Sequence, residues 1–249
     1  MRLRAIVLPV LGSVLSLTLL AAPVGAADEP VEPDPMAGAP AIGTCAAMDW
    51  DDVMGETATQ DVDCERRHTT EVVGVGQLPD DLSWDQRRKV GKAVVAGCAP
   101  AWESVTTDDH LLYRRSAYEK FWFMPSQEQR EAGARWFRCD LARVKGKQLM
   151  STTGAGLPEV TERRMKRSVQ RCMTKDFYGT VCKNKRRLVA WRSKSSFWLS
   201  VPAKDSRAEK KVRRVALDRC PEKVRTPSFA WSWFTDKNRR WVVVCYEKF

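Results

Sequence analysis

Eight cysteines, arranged as two sets of four, constrain the fold of this chain more than any other feature. They are Cys45, Cys64, Cys98, Cys139, Cys172, Cys182, Cys220 and Cys245. An even set of this size predicts disulfide bonds formed outside the reducing cytoplasm. Zinc sites usually contain close pairs such as C-x-x-C. The closest pair here, Cys172 and Cys182, is ten positions apart, so disulfides are favoured over zinc.

The start of the chain predicts export. A basic start at residues 1–4 precedes a mostly apolar run at 5–20 and a small-residue stretch at 21–27, which is the three-part pattern of a signal peptide. An uncleaved membrane anchor is the alternative, but a spanning helix needs roughly 20 apolar residues. We predict a signal peptide at 1–27 and a disordered, proline- and acid-rich spacer at 28–41. The expected location is secreted or extracytoplasmic and associated with the cell envelope.

The segments before the third cysteine of each set correspond in order and predict a pair of helices. Apolar residues recur there at i, i+3 and i+4, the spacing of one helix face. They are Val90, Ala93 and Val94 before Cys98, and Val212, Val215 and Ala216 before Cys220. Ser83 and Asp205 are favoured N-cap types. We therefore predict two amphipathic helices, each with its cysteine near the end and on the buried side.

Strand signals flank both predicted helices and complete a repeated unit. A strand candidate precedes each helix and an aromatic hairpin candidate follows it. The strands are 71–78 and 187–192, the latter with a continuation through 197–199; the hairpins are 118–141 and 229–246. The predicted fold class is α+β, with two small disulfide-stapled modules of a few antiparallel strands and one main helix each. Their predicted bounds are 42–145 and 161–249, with a linker at 146–160 and a short basic helix at 161–172.

The repeat limits the disulfide pairings. Eight cysteines allow 105 pairings, and bonds confined to each half leave nine. Of these nine we predict Cys45–Cys64, Cys98–Cys139, Cys172–Cys182 and Cys220–Cys245. The second of these bonds would join the helix to the last strand of its module.

Charge is divided unequally between the halves. Residues 160–249 include 25 basic and 8 acidic residues, a balance of +17, whereas residues 41–145 include 14 and 18, a balance of −4. Such a field attracts polyanions. The expected partner is an anionic envelope component, such as lipid head groups or a wall polymer, or an acidic exported protein. No nucleic-acid motif is visible. The candidate contact residues are Lys183, Lys185, Arg186, Arg187, Lys210, Lys211, Arg213 and Arg214.

Catalytic signals are sparse. The two histidines are His68 and His110, and no nucleophile elbow, P-loop or metalloprotease motif is present. The carboxylate pairs Asp51–Asp52 and Asp108–Asp109 are adjacent in sequence, so their side chains are expected to point apart. We expect a non-enzymatic binding or structural protein without a cofactor. The alternatives are an envelope hydrolase that uses His68 or His110 with a carboxylate, and an accessory protein for another exported protein.

One motif resembles a known family. The matching residues are Gly43, Cys45, Val62, Cys64, His68, Glu71, Val72, Cys98, Pro125, Gly133 and Cys139. In this pattern the chain resembles the septum formation domain family of exported or membrane-anchored actinobacterial proteins, over about 42–144. The resemblance implies an extracytoplasmic setting and a link to cell division or the envelope, without a catalytic activity. We interpret His68 and Glu71 as structural.

The second half resembles this family only through its cysteine pattern and Val181–Cys182. Arg186 stands at the position of His68, and Val189 at that of Glu71. The second half is therefore interpreted as a diverged, basic copy.

Overall fold

The chain folds into two five-stranded antiparallel sheets with helices, so the predicted α+β class is confirmed. The computed structural model describes residues 33–58, 61–161, 165, 167–177, 179–183, 189–200, 207–235 and 240–248. The predicted signal peptide and residues 28–32 of the predicted spacer lie outside these residues. Within the described ranges no helix has the length and apolarity needed to cross a bilayer.

The first module consists of the first sheet and four helices. Its strands are β1 (Cys45–Ala46), β2 (Asp61–Val62), β3 (Thr70–Gln77), β4 (Tyr118–Phe123) and β5 (Trp136–Arg143). They lie in the order β2, β1, β3, β5, β4. Its helices are α1 (Trp50–Val53), α2 (Arg87–Val105), α3 (His110–Arg114) and α4 (Gln127–Glu131).

The second module consists of the second sheet and one helix. Its strands are β6 (Arg171–Thr174), β7 (Gly179–Val181), β8 (Val189–Leu199), β9 (Phe229–Thr235) and β10 (Trp241–Lys248), and its helix is α5 (Ala208–Lys223). The strand order is β7, β6, β8, β10, β9, so the second sheet repeats the order of the first, strand for strand.

All four predicted disulfide bonds are confirmed. Cys45–Cys64 and Cys172–Cys182 close the short strand pair of each sheet, while Cys98–Cys139 and Cys220–Cys245 join the main helix to the last strand. The structure contains no free cysteine. The two modules are therefore stapled at corresponding places.

The buried faces of the two main helices agree with the predicted periodicity, but the N-cap residue predicted for α2 is wrong. The buried stripe of α2 is Val90, Val94, Cys98 and Trp102, and that of α5 is Ala208, Val212, Ala216 and Cys220. The predicted N-cap Ser83 is wrong: α2 begins at Arg87 after Gln86, whose side chain caps nothing, and Asp205 lies outside the described residues.

The prediction that the third cysteine lies near the helix end is right only for the second module. Cys220 lies three residues before the end of α5, but α2 continues past Cys98 to Val105. Trp102 explains the extension, because its ring is buried and its Nε1 donates to the carbonyl oxygen of Asp140 at 3.1 Å.

The outer faces of the two sheets are covered differently. The first sheet is covered by its own chain, with Met48 and Val53 from the α1 region against Phe123. The second sheet is covered by α3 of the first module, whose Leu111 packs against a cluster that includes Tyr246. An ion pair between Arg171 and Glu119 (2.9 Å) also joins the modules.

Two predicted irregular segments have more structure than expected, and one predicted helix is absent from the described residues. The spacer, predicted to be disordered, contacts the first module in its described part, where Trp136 Nε1 donates to Ala37 O at 3.0 Å. Residues 146–160, predicted as a linker, pack on the same module through Gly154 N, which donates to Cys64 O at 2.7 Å. The predicted helix at 161–172 is wrong: residues 167–169 form a turn and Cys172 lies in β6.

Candidate functional site

The family-motif residues converge at one point of the first sheet. Cys45 lies directly opposite Glu71 in the β1–β3 pair, and Cys64 is bonded to Cys45. One ligand-type atom each from Cys45, His68 and Glu71 lies within 4.8 Å of the other two. All three residues are buried. Residues that are far apart in sequence therefore form one compact buried cluster.

His68 has an unusual hydrogen-bonding state. The side chain is 1% exposed, and its Nδ1 lies 3.0 Å from the carbonyl oxygen of Arg66. Because a carbonyl oxygen only accepts, Nδ1 donates in this contact. Among the described residues Nε2 has no hydrogen-bond partner. His68 therefore has one fixed side-chain hydrogen bond, to backbone.

Glu71 joins the cluster to the segment that follows β5. Its carboxylate accepts a hydrogen bond from Gly156 N at 3.2 Å. Burial raises the pKa of the Glu71 carboxyl, whereas the Gly156 hydrogen bond and His68 act to lower it. His68 itself exchanges two backbone hydrogen bonds with Thr152, at 3.1 and 2.8 Å. The cluster therefore fixes residues 152–156 onto the sheet.

The cluster does not fit a metal ion. The sulfur of Cys45 is in a disulfide and lacks the thiolate that binds metals. His68 and Glu71 alone supply two ligands, fewer than the four of a structural zinc site. This arrangement instead suits a structural role for both residues.

Three of the other candidate catalytic residues have structural partners. Asp52 forms a capping box with Asp49 at the start of α1, and Asp109 caps α3 by accepting from Leu111 N and Leu112 N. His110 contacts the ring of Trp198 edge-on, with centroids 6.2 Å apart, at the junction of the modules.

The second module places a cation where the first has Glu71. Cys172 lies opposite Arg192 in the β6–β8 pair, just as Cys45 lies opposite Glu71. The prediction that Val189 occupies this position is therefore wrong, because the residue found there, Arg192, lies three positions later in the chain. Arg192 donates to the carboxylate of Glu247, so the site is an ion pair in this module. Arg186 lies outside the described residues.

Five of the eight candidate polyanion contacts are described, and all five are exposed: Lys183, Lys210, Lys211, Arg213 and Arg214. Within the described part of the chain none of them has a carboxylate at salt-bridge distance. Lys185, Arg186 and Arg187 lie outside it. The four cations of α5 share one helix surface, whereas Lys183 follows β7 elsewhere in the module.

Sequence reasoning missed two further cations near the motif cluster. Arg67 and Arg143 line the same cleft as Lys183. Arg67 is paired only with Arg66, and Arg143 stands between Ala142 and Val144, in the half of the chain whose net charge is negative, so charge patterning did not select them. Their one sequence signal is position, since Arg67 precedes His68 in the family motif and Arg143 ends β5.

Comparisons with known proteins identify the family of the chain. No curated protein and no solved structure matches it. The family model described as Septum formation matches residues 42–187, more than half of the chain. The match includes the whole first sheet together with β6 and β7. Four disulfides and this domain fit an extracytoplasmic protein, and the domain suggests a role in cell division or at the envelope. The chain belongs to the septum formation family.

Proposed function

We propose that this protein is a secreted, non-enzymatic, envelope-associated binding protein whose basic second module docks on an anionic partner. The observation that carries the proposal is the division of charge, +17 over residues 160–249 against −4 over residues 41–145. A field of one sign raises the local concentration of ligands of the other sign. The buried His68 and Glu71 pair supports a structural role over hydrolysis, because a hydrolase needs substrate access to its acid–base pair.

Helix α5 supplies the described part of this basic surface. Its apolar stripe faces the second sheet, and the Cys220–Cys245 bond fixes that orientation. The opposite surface then presents Lys210, Lys211, Arg213 and Arg214 to solvent. A helix rotated to bury these side chains would break the disulfide and expose the stripe, so the fold itself orients the cations outward.

The same strand order and disulfide positions in both sheets support descent of the second module from a copy of the first. On this view the copy kept the staples and the topology, lost the Glu71 position to Arg192, and gained the basic surface. The favoured partner is an anionic lipid surface or wall polymer. An acidic exported protein, for which this chain would be an accessory, is the alternative partner.

The test is sedimentation of the full chain with phosphatidylglycerol-containing vesicles and with cell-wall fragments at low and high salt. The test variant is Lys210→Gln/Lys211→Gln/Arg214→Gln. A matched control is Arg88→Gln/Lys89→Gln/Lys92→Gln, which removes the same charge at the same offsets from the bonded cysteine of α2.

We expect salt-sensitive binding that the α5 variant weakens more than the α2 variant. Equal weakening by both variants would indicate that total charge alone is responsible, and absence of binding to both materials at low salt would reject the proposal. Capture of one acidic exported protein, without binding to vesicles or wall, would favour the accessory role.

A further inference from the structure

A cleft of about 430 Å³ lies where residues of both modules meet, and the charged side chains that line it are all cations. Arg67 and Arg143 line it from the first module and Lys183 from the second. We propose that this cleft is a specific site for a phosphate-type oxyanion. The inference rests on the proposed function, because it assigns one group of the anionic envelope ligand to a defined place, separate from the α5 surface.

Among the described residues, no carboxylate compensates the charge of the cleft. None of its described lining residues is acidic. In the described part of the chain, Arg67, Arg143 and Lys183 have no carboxylate at salt-bridge distance, in contrast to Arg138 and Arg171. Like charges held around one space repel each other, and a bound anion removes that repulsion. The arrangement therefore favours an anionic occupant.

Hydroxyl groups surround the same space. Ser151, Thr152, Thr153 and Ser168 line the cleft, and among the described residues their side-chain oxygens donate to no protein group in the structure. Arg143 is oriented by a hydrogen bond from its Nη1 to Ser168 O at 3.2 Å. Three cations and four hydroxyl donors suit a tetrahedral group with several acceptor oxygens better than a single carboxylate, which has two.

The hydroxyl-bearing segment is held in place before any ligand arrives. Met150 N donates to Arg143 O at 2.8 Å, Thr152 exchanges two backbone hydrogen bonds with His68, and Gly154 N donates to Cys64 O. Preorganised donors lose less entropy on binding. The motif cluster therefore helps to position the lining: the backbone of His68 holds Thr152, and the carboxylate of Glu71 holds Gly156 farther along the same segment. The family match, which ends at 187, includes every described residue of the lining.

The test is calorimetric titration of the full chain with inorganic phosphate and with glycerol 3-phosphate, with acetate as the control anion and ionic strength held constant by chloride. Phosphatidylglycerol vesicles form a second arm. It shows whether a lipid head group can reach the site. We expect saturable binding of both phosphates, and no saturable binding of acetate. Lys183→Gln and Arg143→Gln should each raise the phosphate Kd about tenfold, the loss of one charge-assisted contact.

The α5 variant separates this inference from the proposed function. Lys210→Gln/Lys211→Gln/Arg214→Gln should leave the phosphate Kd within about twofold, because its charges lie outside the cleft and are screened over a Debye length. Phosphate binding that is absent, or that Lys183→Gln does not change, would overturn the cleft even where vesicle binding through α5 persists. Lys183 is exposed, so its variant remains informative should Arg143→Gln fail to fold.

Discussion

The first and second modules have the same strand order, the same pairing register around their cysteines and the same disulfide positions, yet matched positions carry different chemistry. Glu71 in the first corresponds to Arg192 in the second, and Leu141 corresponds to Glu247. Arg138 and Asp140, which form a buried ion pair at 2.7 Å, correspond to Val244 and Tyr246 in an apolar cluster. Topology and staples therefore define the module, while the chemistry of matched sheet positions is free to change.

The outer faces of the two sheets differ because the loop between the first two strands differs in length. In the first module residues 47–60 join β1 to β2 and include α1, and of these residues Met48 and Val53 pack on the outer face. In the second, residues 175–178 join β6 to β7, and of the described ones Phe177 stacks on Trp191 but remains largely exposed. Leu111 of α3 covers that face instead. The second module thus depends on the first for part of its core.

The largest expected effect tests whether the matched disulfides are equivalent. Cys98–Cys139 and Cys220–Cys245 close loops with separations of 41 and 25 residues. In the chain-entropy model their removal lowers the free energy of unfolding by about 4 and about 3.5 kcal/mol. We expect Cys98→Ala/Cys139→Ala and Cys220→Ala/Cys245→Ala to lose these amounts in urea unfolding followed by tryptophan fluorescence. A loss confined to one pair would show that the staples are not equivalent.

A second prediction concerns the buried ion pair Arg138–Asp140 of the first module. Burial raises the pKa of the Asp140 carboxyl, and the hydrogen bonds from Arg138 oppose that rise. Arg138→Met leaves the carboxylate buried without its partner, so we expect a loss of about 3 kcal/mol at neutral pH. Because the pKa of Asp140 in the folded variant rises further, part of this stability should return as the pH falls toward the unfolded pKa.

The double variant Arg138→Met/Asp140→Leu controls for shape. Its apolar pair imitates the second module at these positions, so it should regain most of the lost stability in the same urea titration. A double variant as unstable as the single one would mean that the ion pair is needed for packing and not only for charge.

The dependence of the second module on α3 gives a third prediction. Leu111→Ala should lower the free energy of unfolding by about 2 kcal/mol, since Leu111 is half-buried. The neighbouring buried Leu112, which packs in the core of the first module, is the matched control. Hydrogen exchange should increase in β8 and β10 for Leu111→Ala and in α2 for Leu112→Ala. Increased exchange in the same strands for both would deny that α3 divides its contacts between the modules.

Much of the repeat could be predicted because cysteine spacing and apolar periodicity report it directly. Val90 and Val212, at one offset from Cys98 and Cys220, predict the helices and with them two of the four bonds. Packing of the 33–41 and 146–160 segments could not be predicted in this way. Those contacts use backbone groups such as Ala37 O and Gly154 N, which no side-chain pattern reveals.

The candidate site shows a second limit. Counting residues from the cysteines placed Val189 at the Glu71 position, but the connection from Cys182 to β8 differs in length from that between Cys64 and β3. The strand register puts Arg192 there instead. Arg67, Arg143 and Lys183 are far from one another in sequence and line one cleft only when the modules pack. A site formed between modules therefore cannot be recognised from any single segment of the sequence.

The smallest expected effect compares the two carboxylates by pH. Burial raises the folded-state pKa of Glu71, so its stabilising contribution is full below the unfolded pKa of about 4.3 and declines as the pH rises above it. Burial also acts to raise the pKa of Glu247, but the hydrogen bond and charge of Arg192 outweigh it and the pKa is lowered. Its contribution is therefore present above about pH 4.3 and is lost as the pH falls.

Glu71→Gln and Glu247→Gln should consequently change the free energy of unfolding in opposite directions at neutral pH. The first avoids burying an unpaired charge and keeps an oxygen for Gly156 N, so we expect no loss or a gain of up to about 1 kcal/mol. The second removes the charged partner of Arg192, so we expect a loss of about 1 kcal/mol. Urea titrations across the acidic to neutral range should show both differences shrinking as the pH falls through the carboxyl range. If both variants lose stability at neutral pH, Glu71 is ionised and paired. The two modules would then differ at this position only in the sign of the charge, negative for Glu71 and positive for Arg192.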